Sequence, residues 1–429
     1  MDDERFNAIV VGAGLAGSSA AYRMAEAGLS VLLIERGNYA GAKNMTGGRM
    51  YTHSLERLMP GFREKAPLER KVVKERIAIL ANGGGTTIEY RANPEADSYG
   101  ESYTVLRGPF DQWMAEQAEE AGAMVVTGIQ VTSLIREDNR IVGVIAGEEE
   151  MYADVVILAD GVNSILAEQA GLRARVSPHN VAVGAKDVYE LDEDIIEARL
   201  GLAEGEGMAC LALGDMTGGV MGGGFIYSNR KSLSVGIVAG LADISKSSMT
   251  MEEMMNAFAT NDVVAPLIKG AKLIERSGHV VPEIGYRGVT TLVADGCLIC
   301  GDAAGLCINI GYTVRGMDLA IESGIQAADA VIRACASEPF DPAELKSYGE
   351  RLMSGFVGND MKLYQHFPEF MENERLFTTY PKFVNDLMAD VFAVDGNGAE
   401  PLMKKMLKHA KEVGFLNLAR DGWKGVRSL

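Results

Sequence analysis

A chain of 429 residues, 47% apolar and carrying 50 glycines, can bury two or three packed modules joined by many tight turns. Its net charge of −18, with no arginine-rich run, disfavours nucleic acid, whose phosphates need a basic surface. Acids occupy the opening MDDERF where a secretory signal would carry bases, a strand begins almost at once, and no apolar run is long enough to span a bilayer. The expected location is therefore the cytoplasm or one face of a membrane.

The stretch 6–37 reads as strand, glycine turn, helix and second strand. Residues 8–11 are a short buried parallel strand, and GAGLAG sets Gly12, Gly14 and Gly17 at GxGxxG spacing. Gly12 permits the turn, Gly14 lets a pyrophosphate approach, and Gly17 lets the helix over 15–27 pack on the sheet. That helix aims its free N–H groups at the pyrophosphate. The second strand, 30–34, ends in Glu35, about 20 residues past the turn, where a carboxylate binds ribose hydroxyls and disfavours a 2′-phosphate. The turn-rich stretch after Arg36 lies where a ligand is touched in an open α/β sheet, and its Lys43 and Arg49 either face a phosphate or flavin edge or sit in a solvated loop. Residues 55–59 form a short helix ended by Pro60, and RIAIL and TTIEYR form a hairpin across ANGGGT.

Arg107 precedes a helix over 110–121 with Phe110, Trp113, Met114 and Ala118 on one face, then a strand at 124–126. Three strands of a β-meander follow and end at Asp160-Gly161, a second turn of the ligand-binding kind. Residues 180–241 read as a separate antiparallel sheet. In it TGGVMGGGFIY packs five glycines into eleven residues beside Phe225 and Tyr227, which implies either a flat ligand close to the backbone or a bulged edge strand. An amphipathic helix is expected over 251–268. A third ligand turn, CGDAAGL, carries Asp302 and leads into a small-residue helix from about Gly316 to Ile332. Three such turns suit a long ligand such as FAD better than NAD. The remainder is helical. Its segment LMKKMLKHAKEVGF puts Leu402, Met406, Ala410 and Val413 on one face and Lys404, Lys405, Lys408 and Lys411 around the other. It is either a docked surface helix or a basic one that meets anionic lipid or an acidic partner. The five cysteines, Cys210, Cys297, Cys300, Cys307 and Cys335, are scattered and suit a reducing compartment, Cys297 and Cys300 being read as small core residues.

The expected fold is α/β, with an α+β second domain. A Rossmann-like FAD-binding domain with a β-meander takes in residues 1–71, 105–179 and 283–335, an antiparallel-sheet substrate domain 72–104 and 180–282, and a helical region 336–429.

GAGLAG with Glu35-Arg36-Gly37, VLRGPFDQWM, ILADGVNS and CGDAAGL together resemble the two-domain FAD flavoproteins of the glutathione-reductase-like class. Within that class GAKNMTGGR, MGGGFIYSN and NIGYTVRGMD resemble the electron-transfer-flavoprotein:quinone oxidoreductases, and above all the C subunits of Fix complexes, over nearly the whole chain. The resemblance implies FAD, electrons from a partner electron-transfer flavoprotein (Fix A and B type), delivery to a quinone, and a bifurcating complex peripheral on the inner face of the cell membrane. Single-chain relatives carry cysteines for a [4Fe–4S] cluster that this sequence lacks, which fits a separate ferredoxin-like subunit (Fix X type). By the same resemblance Gly12, Ala13, Gly14, Ala16, Gly17 and Glu35 hold the ADP half. Arg36, Gly48, Arg49 and Arg107 lie along the cofactor with Val131 and Asp160 beside it, Gly301 and Asp302 hold the ribitol, and Gly316 offers N–H to the flavin. Gly222, Gly223, Gly224, Phe225 and Tyr227 face the quinone. No metal ligand and no general acid or base is expected, protons coming from water. The rivals are a prenyl-lipid (geranylgeranyl) reductase of the same fold, an aromatic hydroxylase, and a flavin scaffold without activity.

Overall fold

The computed structural model of the chain describes residues 5–45, 48–96, 100–337 and 340–428, so Thr46 and Gly47 of the turn-rich loop lie outside it. The chain opens with β1 (Phe6–Val11), α1 (Leu15–Glu26) and β2 (Val31–Glu35), in line with the sequence reading. β1 and β2 pair in parallel from Ala8↔Val31 to Val11↔Ile34, every one of these residues buried, which is why the run is apolar without alternation. β3 (Gly48–Tyr51), α2 (His53–Leu58), β4 (Leu68–Ala81), β5 (Gly84–Arg91) and β6 (Ser102–Val105) come next, and all four strands belong to a different sheet from β1. α3 (Arg107–Glu120) and β7 (Met124–Thr127) return the chain to β2. The meander is β8 (Val131–Glu137), β9 (Arg140–Ala146) and β10 (Glu149–Leu158). β10 pairs antiparallel with β9 over its first half and parallel with β1 over its second, so it joins the meander to the nucleotide sheet before α4 (Ile165–Gln169).

The second sheet resumes with β11 (Val181–Glu190), α5 (Glu193–Leu200), β12 (Glu206–Gly214), β13 (Gly222–Ser228) and β14 (Ser232–Gly240). After α6 (Leu241–Ile244), α7 (Met251–Thr260) and α8 (Ala265–Ile268) it closes with β15 (Lys272–Pro282). Its strand order is β15-β11-β14-β13-β12-β4-β6-β3, with β5 on β4. The expected wholly antiparallel sheet is corrected at one seam: β12 runs parallel to β4 from Glu206↔Lys71 to Gly214↔Leu80. The single helix expected over 251–268 is also corrected. Thr250 and Glu253 cap α7 in a capping box, but Asn261 is extended and donates to Gly84 O at 3.2 Å, which separates α7 from α8.

The nucleotide sheet is completed by β16 (Val293–Ala294) and β17 (Cys297–Ile299), giving the order β16-β17-β10-β1-β2-β7. A small hairpin, β18 (Ile308–Asn309) and β19 (Val314–Arg315), leads into α9 (Met317–Cys335), which packs on α1. A Cβ on Gly324 of α9 would strike Ala16 O and Ser19, so the small-residue face is what lets the two helices approach. α10 (Lys346–Ser354), α11 (Phe356–Leu363), α12 (Phe367–Met371), α13 (Thr379–Phe392), α14 (Leu402–Val413) and α15 (Phe415–Ser428) end the chain.

α14 is rotated partway from the face the periodicity marks, so that of that face only Val413 is buried. His409 and Val413 are buried and Lys405 is largely covered, whereas Leu402 and Met406 are exposed. The reason is polar: Asp390 of α13 takes ion pairs from Lys405 at 3.3 Å and Lys408 at 3.4 Å and forms a hydrogen bond with His409 Nε2 at 3.1 Å. α15 is anchored in the same way, Asp421 accepting from Arg375 at 2.6 and 2.9 Å and from Tyr380 at 2.7 Å.

Candidate functional site

The β1–α1 turn forms as its glycines require. Gly12 has φ +101° and donates to Ile34 O at 2.8 Å, and a Cβ on Gly17 would collide with Gly12 O, so Gly17 serves the packing of α1. Gly14 has nothing within 4 Å of where a Cβ would sit, because it faces a cavity of about 1460 Å³. The cavity runs from this turn between the two sheets and is larger than the roughly 300–1,000 Å³ of an ordinary small-molecule site, which leaves room for a long cofactor and a second ligand.

Of the residues expected along the cofactor, Gly12, Gly14, Ala16, Glu35, Arg36, Gly48, Arg49, Arg107, Val131, Asp160, Gly301, Asp302 and Gly316 all line this cavity, as does Lys43. Ala13 and Gly17 lie behind the wall, Ala13 fully buried. The Glu35 carboxylate accepts from Ala13 N–H at 3.0 Å and Gly37 N–H at 2.6 Å, which holds it at the cavity edge. Arg107 forms a two-point ion pair with buried Asp111 at 2.8 Å, and Arg49 donates to Glu75 at 2.9 Å and to Ser102 at 3.0 Å while stacking over Tyr51.

The two acids of the later turns differ. Asp160 accepts from Ser164 Oγ at 2.8 Å, whereas among the described residues no protein donor reaches the Asp302 carboxyl. Burial raises both above the usual carboxylate range, and the positive charge of Arg107 partly offsets this at Asp302. A buried acid without a donor, an open glycine at a helix N-terminus, and the Gly316 start of α9 on the same cavity fit a dinucleotide flavin with hydroxyls to pair.

Gly222, Gly223, Gly224, Phe225 and Tyr227 line the cavity, with Phe225 and Tyr227 stacked at 5.3 Å between ring centroids. The glycines have a cause different from both readings of the sequence. β13 is a central strand paired without a bulge to β12 and β14, and the missing side chains are accounted for by protein neighbours. A Cβ on Gly224 would lie 2.6 Å from the Phe258 ring, and one on Gly223 would lie 2.7 Å from Ala212 O. Cys297 and Cys300 are buried with their thiols pushed up by burial, as core residues should be, and no group of metal ligands occurs among the described residues.

Sequence reasoning missed several wall residues. His279 and Glu283 approach from β15 and its end, Cys307 from just before β18, Asn309 from β18 itself, and Phe367 and Thr378 from the helical region. Burial, with Arg107 and Arg36 adding to it, lowers the His279 pKa. Alternation along β15 could have suggested His279 and, continued past its end, Glu283, and Asn309 opens the NIGYTVRGMD stretch; nothing local marks Phe367 or Thr378.

A model of the FAD binding domain matches residues 5–304, and one of the ETF-QO/FixC family C-terminal domain matches 367–429. Over the full length of both chains this sequence is 49% identical to protein FixC of Salmonella typhi. It is 47% identical to the probable electron transfer flavoprotein-quinone oxidoreductase YdiS of Escherichia coli, again with both chains covered in full. Among solved structures it resembles a geranylgeranyl bacteriochlorophyll reductase-like protein of Thermoplasma acidophilum, with a TM-score of 0.70 at 21% identity over 98% of this chain and 99% of the other. It also resembles the myxobacterial halogenase CndH, with a TM-score of 0.67 at 18% identity over 96% and 97%; both likenesses concern the fold. The cofactor is FAD, and the chain belongs to the ETF-QO/FixC family of flavoproteins.

Proposed function

We propose that this FAD-dependent electron-transfer oxidoreductase takes electrons from a partner electron-transfer flavoprotein of Fix A and B type and delivers them to a quinone, as the C subunit of a bifurcating Fix complex with a ferredoxin-like [4Fe–4S] subunit of Fix X type. The observation that carries this reading is the continuity of one cavity, which takes in three flavin-type turns and the aromatic strand β13. An acceptor seated on Phe225 and Tyr227 therefore shares its walls with the cofactor. The name of the Escherichia coli relative, a probable electron transfer flavoprotein-quinone oxidoreductase, supports the same chemistry.

A quinone with a prenyl tail must be met at a lipid surface, and the C-terminal helices support a peripheral docking there. With their polar sides anchored to Asp390 and by Asp421, α14 and α15 present Met403, Leu407, Phe415, Leu416, Trp423 and Val426 to solvent, from 49% exposed at Leu407 to 87% at Leu416. Exposed Lys404, Lys408, Lys411 and Lys424 lie among them. Apolar side chains ringed by cations suit an anionic membrane face, and no helix among the described residues is long and apolar enough to cross one. The test is reconstitution: reduced partner flavoprotein, this chain and a quinone should yield quinol only when all three are present. Transfer of the electrons into a prenyl double bond, with no quinol, would replace this reading by the reductase one.

A further inference from the structure

One carboxyl in the cavity is not engaged by the cofactor turns. Glu283 follows β15, and the two-residue alternation of that strand brings His279, Val281 and Glu283 to the cavity wall. Its backbone N–H donates to Asn180 O at 2.8 Å, which fixes the residue where the chain leaves the second sheet. Its Oε1 accepts from Asn309 Nδ2 at 2.9 Å, and Asn309 Oδ1 accepts from Gly311 N–H at 3.1 Å. The carboxyl is thus held by the connection that leads into Gly316 and α9.

Among the described residues no cation pairs with it. A carboxylate at such depth without a counter-charge is unfavourable, and keeping its proton removes that cost. Burial pushes the Glu283 carboxyl up to about 7, and the Asn309 amide offsets only part of the rise. Its titratable neighbours are few. The Cys307 thiol feels the charges of Glu283, Asp302 and Asp318 and is pushed well above its usual range, while His279 on β15 and His179 ahead of β11 lie on the same wall.

We propose that Glu283 is the proton donor of this site, its carboxylic O–H supplying one of the two protons a quinone takes up on reduction. The inference rests on the quinone reading above. The O–H bond of Glu283 breaks, an O–H bond forms at a quinone oxygen, and the carboxylate left behind regains a proton from water. The two electrons and the other proton are those of reduced FAD in its anionic, singly protonated form. Proton supply therefore passes from bulk water, the source expected from the sequence, to a fixed group.

The test uses the full FAD-bound chain as wild type, Glu283→Gln and Asn309→Ala, with a short-chain quinone. Flavin content and quinone binding are measured first. Stopped-flow quinol formation and the infrared C=O band of a protonated carboxyl are then followed from about pH 5.5 to 9. In the wild type the rate should fall about tenfold per pH unit above pH 7, with the carboxyl band vanishing in step. Glu283→Gln should keep its flavin, lose that band, lose the pH limb, and run at least about tenfold slower below pH 7. In Asn309→Ala the limb and the band should move to higher pH, since the amide that favours the carboxylate is gone. A wild type that forms no quinol overturns the quinone reading and this proposal with it. A wild type that forms quinol beside a Glu283→Gln with the same rate and limb overturns this proposal alone. If Glu283→Gln does not hold FAD, Asn309→Ala decides, and an unmoved limb and band overturn the proposal.

Discussion

Gly14 and Gly17 are the same residue type in one motif, yet they serve different ends, and two substitutions separate them. Valine at Gly14 enters open cavity, so Gly14→Val should purify folded but colourless, checked by flavin absorbance and circular dichroism together. Gly17→Ala instead drives a methyl into Gly12 O and should lower stability by about 1 to 3 kcal/mol, read from denaturant midpoints. A similar contrast holds for the acids. Among the described residues Asp302 has no protein donor whereas Asp160 has Ser164, so Asp302→Ala should weaken FAD binding more than Asp160→Ala, by about 1 to 3 kcal/mol in a calorimetric titration of apoprotein. Glu283 also bears on stability. Its pKa rises from 4.5 to about 7 on folding, so between those values the folded chain binds more protons than the unfolded one, and stability falls as pH rises through that window. Unfolding of the cofactor-free protein at about pH 5 and pH 8 should show a smaller loss in Glu283→Gln than in wild type. The glycine turns, Glu35 and Asp302 were legible because backbone geometry and charge are local properties of a motif. Glu283 and Asn309 were not, because their meeting depends on where β15 ends relative to a loop 26 residues on.

At the scale of an element, α14 shows what periodicity can and cannot say. A helical wheel finds the apolar stripe of 402–413 correctly, but which side packs is decided by Asp390, a residue of another helix. Leu402 and Met406 of that stripe, with Met403 and Leu407 beside them, are consequently left to solvent while Val413 packs. Leu416→Glu with Trp423→Glu should abolish co-sedimentation with anionic liposomes at any salt concentration. Gln at Lys404 and Lys411, with Lys405 and Lys408, which pair with Asp390, left in place, should weaken it mainly at low salt, at roughly 1 kcal/mol per charge. Unchanged lipid binding in both variants, with the cluster subunit lost, would assign these helices to subunit docking. α5 was missed although Asp192 precedes an acidic first turn and Gly201 ends the helix in the left-handed region at φ +61°. Those signals were masked by the strand-like residues on either side.

For the whole molecule, alternating apolar strands and ligand turns made the nucleotide sheet readable, since each βα unit is sequential. The second sheet is built from distant pieces. β3 and β6 pair with each other beside β4, and β12 reaches β4 in parallel, pairings that no local pattern encodes. The consequence is a cavity walled by both sheets, in which the three glycine-rich turns and the Phe225–Tyr227 pair face one space. In the proposed function, electrons on the cofactor leave through that space to a quinone. The most direct measurement is anaerobic stopped flow, mixing the photoreduced, FAD-loaded chain with a short-chain quinone while following flavin absorbance and quinol. Reoxidation is expected at a rate that saturates with quinone and is slowed by Phe225→Ala, with one quinol per flavin. Flavin that stays reduced in the presence of quinone, or that reoxidises without quinol, would contradict it.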